Sequence, residues 1–122
     1  MEAVRKKWLW VLAALSLGLH FVRLTTPNEV IFDEFHFGKF VTAYCCGGNR
    51  IFDIHPPHAK LLIAGLAKVM GYKGNYQFSK IGENYSGPGI FGMRFLPALA
   101  GALIPVLVYV LLGQLGVTCA GA

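Results

Sequence analysis

The stretch FLPALAGALIPVLVYVLL, Phe95 to Leu112, contains no ionisable side chain except the Tyr109 phenol. At about 1.5 Å of rise per residue it makes a helix of roughly 25 Å, just enough to cross a hydrocarbon core of about 30 Å with help from its flanks. A second apolar run, WLWVLAALSLGLHFVRL from Trp8 to Leu24, carries no full charge until Arg23 and is of similar length. The two runs account for most of an unusual composition, 55% hydrophobic and 14% charged over 122 residues, which a soluble domain does not need. Both read as transmembrane helices. The expected fold is therefore an all-α membrane protein, two spans joined by an external loop.

Four segments follow: residues 1–24, a basic tail and the first span; 25–92, the loop; 93–112, the second span; and 113–122, a turn with the start of a third helix that the chain cuts short. Arg5, Lys6 and Lys7 ahead of an apolar run also fit a signal peptide, but the exit His20-Phe21-Val22-Arg23-Leu24 has no small-residue cleavage pattern, which favours an uncleaved anchor. The same basic cluster belongs in the cytoplasm, with Trp8 and Trp10 at the interface, and this sends Thr25 to about Met93 to the opposite side. The loop has lysines and arginines of its own, but long loops count for less than residues beside a span.

The loop is too apolar for a disordered linker, and no run in it is long enough to cross the bilayer. Phe37, Phe40, Val41 and Tyr44 recur at helical spacing after Asp33, which stands where an N-cap belongs, and Gly47, Gly48 and Asn49 end that helix. Pro56 and Pro57 open a second helix, Ala59 to Met70, whose expected apolar face is Leu62, Leu66, Val69 and Met70, with Lys60 and Lys68 outside it. Twelve residues cannot span, so both elements are read as short interfacial helices. Gly71 stops the second, and Tyr72 to Gly89 forms an irregular loop. The net charge of +5 is spread along the chain without a nucleic-acid-binding pattern, so nucleic acid is not an expected partner. Cys45 and Cys46 are adjacent, where a mutual disulfide would be strained, and no cysteine has metal-site spacing.

Three features near the membrane exits are hard to explain by burial alone: the acidic pair Asp33 and Glu34, the run Phe52-Asp53-Ile54-His55-Pro56-Pro57, and Arg94 at the mouth of the second span. Each has a structural reading as well. Asp33 can simply cap a helix, His55 can be a loop histidine before a helix-starting proline, and Arg94 can snorkel to headgroups. An ionisable group at membrane depth is nevertheless a functional candidate by default.

In order, FDEFHFGKF (Phe32 to Phe40), FDIHPPHAKLL (Phe52 to Leu62), GYKGNYQF (Gly71 to Phe78) and GMRFLPAL (Gly92 to Leu99) resemble the amino-terminal region of the protein O-mannosyltransferases, over nearly the whole of Thr26 to Leu112. The resemblance implies an amino-terminal fragment of a GT-C-type glycosyltransferase. Such an enzyme transfers mannose, with inversion, from dolichyl or polyprenyl phosphate mannose to serine or threonine hydroxyls of a translocating protein. It implies no cofactor and no tightly bound metal, and it is compatible with pairing to a paralogue. The membrane would be the plasma membrane in a bacterium and that of the endoplasmic reticulum in a eukaryote.

The residues suit that chemistry. A hydroxyl is a poor nucleophile until a carboxylate removes its proton, and Asp33 is the candidate base, with Glu34 orienting or binding the acceptor. The departing lipid phosphate gains charge that a fixed cation stabilises; Arg94, His55 and Lys60 are candidates, with Arg94 preferred because guanidinium pairs bidentately with phosphate. His58 and Ala59 stand where the family has leucine and glycine before the lysine, though Lys60 keeps its register. Alone, a piece this short is expected to be inactive. A related enzyme acting on a lipid such as lipid A would carry lysine where His55 stands before the prolines, and a truncated non-catalytic membrane protein would keep these motifs for packing only. Asn84-Tyr85-Ser86 is a glycosylation sequon that matters only if the loop faces an endoplasmic reticulum lumen; on sequence alone the incidental reading is preferred.

Overall fold

A computed structural model of the chain describes residues 2–47, 52 and 56–117. Among them are four helices: α1 (Glu2–Phe21), α2 (Phe32–Cys46), α3 (His58–Val69) and α4 (Ile90–Gln114). Two compact units are present. One comprises the described residues up to Val22 and from Pro97 onward, and the other is Arg23–Leu96.

The 25-residue α4, of which the part from Pro97 onward belongs to the first unit, is about 37 Å long and by length and composition apolar enough to cross a bilayer. It contains Pro97 and Pro105; each removes a backbone donor, which a membrane helix tolerates when neighbouring groups re-satisfy the freed carbonyl. The expectation of two spans is met in part, because α4 alone among the described helices passes by length and composition. The helical run of α1 stops at Phe21, and Arg23 turns the backbone left-handed at φ 56°. Only Trp8 to Phe21 is then both helical and apolar, roughly 20 Å, and the three basic residues ahead of it are too many for a clean span. α1 nevertheless packs on α4: Ser16 Oγ donates to the Ala102 carbonyl at 2.9 Å, and Gly101 lies so close to the His20 ring that an added Cβ would meet it at 3.0 Å. The chain leaves α4 in a turn through Gly116 at φ 75°, and the expected third helix falls largely at 118–122, outside the described residues.

The second unit has its own core, made of Val30, Val41, Ala64, Ala67, Tyr72, Phe78, Tyr85, Ile90 and Met93. Both loop helices form where periodicity predicts them, within a few residues, but each is rotated from its expected face. On α2 the buried positions are Glu34, Gly38, Val41 and Cys45, while Phe37 and Tyr44 are exposed. Gly38 explains the register, because the Phe78 ring lies directly against it and a Cβ there would collide with that ring. On α3 the buried positions are Lys60, Ala64 and Ala67; Leu62, Val69 and Met70 point outward. Here close approach decides, since the α-carbon of Ala67 would lie 2.8 Å from a Cβ on Gly92, and only small residues let two backbones come so near.

Tyr72 to Gly89 has the expected irregular backbone, yet it supplies much of the core. Phe78 is wholly buried although its φ is 49°, a left-handed conformation that costs an L-residue roughly 1–2 kcal/mol and is held here by ring burial. Tyr76 and Tyr85 pack around it with ring centroids at 4.8 Å and 5.3 Å. An isolated antiparallel bridge, Glu29 with Asn84, ties the loop to the segment before α2: Val30 N donates to Glu83 O at 2.8 Å, and Tyr85 N to Asn28 O at 2.9 Å. Cys45 and Cys46, expected to resist pairing, are joined by a disulfide at the end of α2.

The two helical glycines Gly38 and Gly65 separate packing from propensity. Gly38→Ala should lower the thermal midpoint of the detergent-solubilised chain by the equivalent of about 1–3 kcal/mol, the usual cost of overpacking. Gly65→Ala meets nothing within 4 Å and should hold or raise it, by up to about 1 kcal/mol of helix propensity. Equal responses at both positions would contradict the Phe78–Gly38 packing.

Candidate functional site

The N-cap of α2 lies two residues ahead of the position its sequence signal gives. Ile31 is the N-cap, so Asp33 occupies the second helical position and Glu34 the third. The N-cap role expected of Asp33 is therefore not its own. Glu34 instead reaches back, and its Oε2 accepts the Ile31 backbone N–H at 3.1 Å. This is the side-chain half of a capping box, and an isoleucine cannot supply the other half. Glu34 is buried and Asp33 is exposed.

What draws Glu34 inward is Arg94, in the second turn of α4. Arg94 Nε donates to Glu34 Oε1 at 2.5 Å and Nη2 to Oε2 at 2.9 Å, a bidentate pair in which both residues are only 8% exposed. The other donors go to backbone carbonyls: Nη1 to Leu24 O at 3.2 Å and Pro27 O at 2.9 Å, and Nη2 to Glu29 O at 3.0 Å. A guanidinium has five N–H groups, and all five are used. The arginine thus gathers the segment Leu24–Glu29 and the first turn of α2 around one cation. In this arrangement every donor of Arg94, the cation preferred on sequence for the lipid phosphate, is taken up within the chain.

Lys60 is also buried, and its ammonium sits 3.9 Å from the Phe40 ring centroid and 5.6 Å from that of Phe37. It is the inward-facing residue of the first turn of α3, against the middle of α2, and not outside the buried face where its spacing places it. His55 lies outside the described residues. The site therefore unites Asp33, Glu34 and Arg94, while Lys60 lies farther along α2. Among the described residues no cluster of His, Cys, Asp or Glu could hold a metal ion.

Two neighbours of the pair have no signal in the sequence. The carbonyls that complete the arginine's shell are backbone atoms, silent in a residue pattern. Tyr85 is 3% exposed, and its hydroxyl has no partner among the described residues. Burial pushes its phenol well above the ordinary tyrosine range; Tyr72, Glu34 and Tyr76 add to the rise and Arg94 opposes it. Burial likewise raises Tyr72, partly offset by its hydrogen bond with Thr42. Beside the arginine's carbonyl partners lies a cavity of about 260 Å³ lined by Pro27, Asn28, Glu29, Gly82 and Asn84.

Residues 10–122 match the family described as dolichyl-phosphate-mannose-protein mannosyltransferase. Among similar proteins, protein O-mannosyltransferase 1 of Drosophila melanogaster is 48% identical over 104 residues, which is 84% of this chain and 12% of that protein. Dolichyl-phosphate-mannose–protein mannosyltransferase 4 of Schizosaccharomyces pombe is 43% identical over 119 residues, 95% of this chain and 15% of its own length. Dolichyl-phosphate-mannose–protein mannosyltransferase 1 of Candida albicans is 41% identical over 121 residues, again 95% of this chain and 14% of its own. The chain thus spans 12 to 15% of the length of these relatives. No solved structure matches.

Breaking a buried pair by removing one partner typically costs about 3–5 kcal/mol, because the other charge is left uncompensated. Arg94→Leu and Glu34→Leu should each destabilise the chain on that scale, and the double variant should lose clearly less than the sum. A double-mutant cycle on thermal melting checks this; losses that add to within about 0.5 kcal/mol would mean the two side chains act independently.

Proposed function

The chain belongs to the dolichyl-phosphate-mannose-protein mannosyltransferase family, and from that membership we propose that it is the amino-terminal part of a longer GT-C-type membrane enzyme. That enzyme transfers mannose from dolichyl or polyprenyl phosphate mannose to serine and threonine hydroxyls of proteins. The eukaryotic sources of the relatives favour the endoplasmic reticulum membrane, with Arg23–Leu96 on the lumenal side. α1 then serves as a second membrane helix, its basic residues and tryptophans extending its reach at the cytoplasmic edge; the Ser16–Ala102 hydrogen bond supports this packing. Pairing with a paralogue belongs to the same reading.

The observation that carries the proposal is the division of labour within the acidic pair. Glu34 is buried and consumed by Arg94, whereas Asp33, one residue earlier in the same first turn, is exposed and held in place by that anchor. In the proposed reaction Asp33 takes the proton of the acceptor hydroxyl while the hydroxyl oxygen attacks the anomeric carbon. The bond from that carbon to the phosphate oxygen breaks, and the lipid phosphate leaves with the electron pair, inverting the centre. Glu34 and Arg94 act as positioning residues that fix where Asp33 meets the donor. His55 and Lys60 remain the cations proposed for the leaving phosphate.

In the full-length enzyme, Asp33→Asn should lower transfer of labelled mannose to a serine- or threonine-containing peptide by about 10²–10⁴-fold, the usual contribution of a general base. Membrane insertion and thermal midpoint should stay as in the parent, because the aspartate is exposed. Near-normal transfer by this variant would remove Asp33 from the chemistry.

A further inference from the structure

The sequon Asn84-Tyr85-Ser86 takes no part in the proposed transfer, and its conformation is informative. Asn84 and Ser86 are exposed while Tyr85 between them is 3% exposed. This is the alternation of an extended segment, in which residues two apart share one face. The Tyr85 ring anchors the segment in the core against Tyr76 and Phe78, so the amide of Asn84 and the hydroxyl of Ser86 are left together on the outer side. Asn84 is bound through its backbone, since its carbonyl accepts the Tyr76 hydroxyl at 2.9 Å and it pairs with Glu29 in the antiparallel bridge. Among the described residues the bonds that hold Asn84 in place are those of its backbone.

We propose that Asn84 is an N-glycosylation site, modified when the Arg23–Leu96 unit enters the lumen. The inference rests on the lumenal placement proposed above, under which an Asn-X-Ser sequence in an exposed loop is an acceptor. The donor is an oligosaccharide linked to a lipid diphosphate, delivered by the cell's own transferase. A bond forms between Asn84 Nδ2 and the anomeric carbon, the bond from that carbon to the diphosphate oxygen breaks, the lipid diphosphate leaves with the electron pair, and one amide proton passes to a base of that transferase. The attached glycan would stand on the outer face of the bridge between Glu29 and Asn84, beside the segment that Arg94 holds.

The test expresses the full-length chain in eukaryotic cells and compares gel mobility before and after endoglycosidase digestion. Asn84→Gln and Ser86→Ala should each lose the shift of one N-glycan, while Ser86→Thr keeps it; none of these changes removes a backbone contact that holds the loop. Gln77→Thr in the Asn84→Gln background turns Asn75-Tyr76-Gln77 into a reporter sequon in the same loop, at exposed positions 75 and 77. If the reporter gains a glycan while the parent shows none at Asn84, the loop is lumenal and the proposal is overturned. If neither site is modified, the lumenal reading fails and the proposal falls with it.

Discussion

An arginine at the head of an apolar helix must be satisfied by its own chain, and the Arg23–Leu96 unit is organised around that requirement. Near hydrocarbon, an unpaired guanidinium is expensive, and a buried carboxylate is no less so. Arg94 and Glu34 solve each other's problem in a bidentate pair, and the three carbonyls from Leu24, Pro27 and Glu29 absorb the remaining donors. One cation therefore ties the start of α4 to the chain leaving α1 and to the first turn of α2. Removing the charges by themselves is not the main effect of losing it, because three backbone acceptors would also need new partners.

From this clamp the rest of the site follows. With Glu34 drawn inward at the third position of α2, the helical period places Gly38, Val41 and Cys45 on the same buried stripe. Gly38 leaves space for Phe78, and the aromatic cluster of Tyr72, Tyr76, Phe78 and Tyr85 closes over it. Asp33 falls about 100° around the helix from Glu34 and therefore outside. The two carboxylates adjacent in sequence thus occupy unlike surroundings, one buried and paired with an arginine, the other exposed.

The sequence reveals the elements more readily than their faces. Phe95 to Leu112 is legible as a candidate span from composition and length alone, and the two loop helices are legible from spacing and proline or glycine punctuation. Their orientation is not, because large apolar residues are normally assigned inward. Here the inner positions are taken by Gly38, Ala64, Ala67 and Gly92, which allow close approach, while Leu62 and Val69 face out. Close approach of two helices selects small residues at the contact and leaves the larger side chains outside it. Asp33, Glu34 and Arg94 were each recognisable as charges out of place, but their roles depended on geometry: a residue pattern cannot show that backbone carbonyls use the arginine's other donors, nor that Lys60 turns inward under two phenylalanines.

The most direct measurement of the clamp is hydrogen–deuterium exchange of the backbone between Leu24 and Glu34 in the full-length protein and in its Arg94→Met form. The account predicts that the amides of Val30 and Ile31, bonded to Glu83 O and Glu34 Oε2, lose their protection in the variant while those inside α3 keep theirs. Unchanged protection at Val30 and Ile31 without Arg94 would contradict the claim that this one cation holds the acidic pair in position.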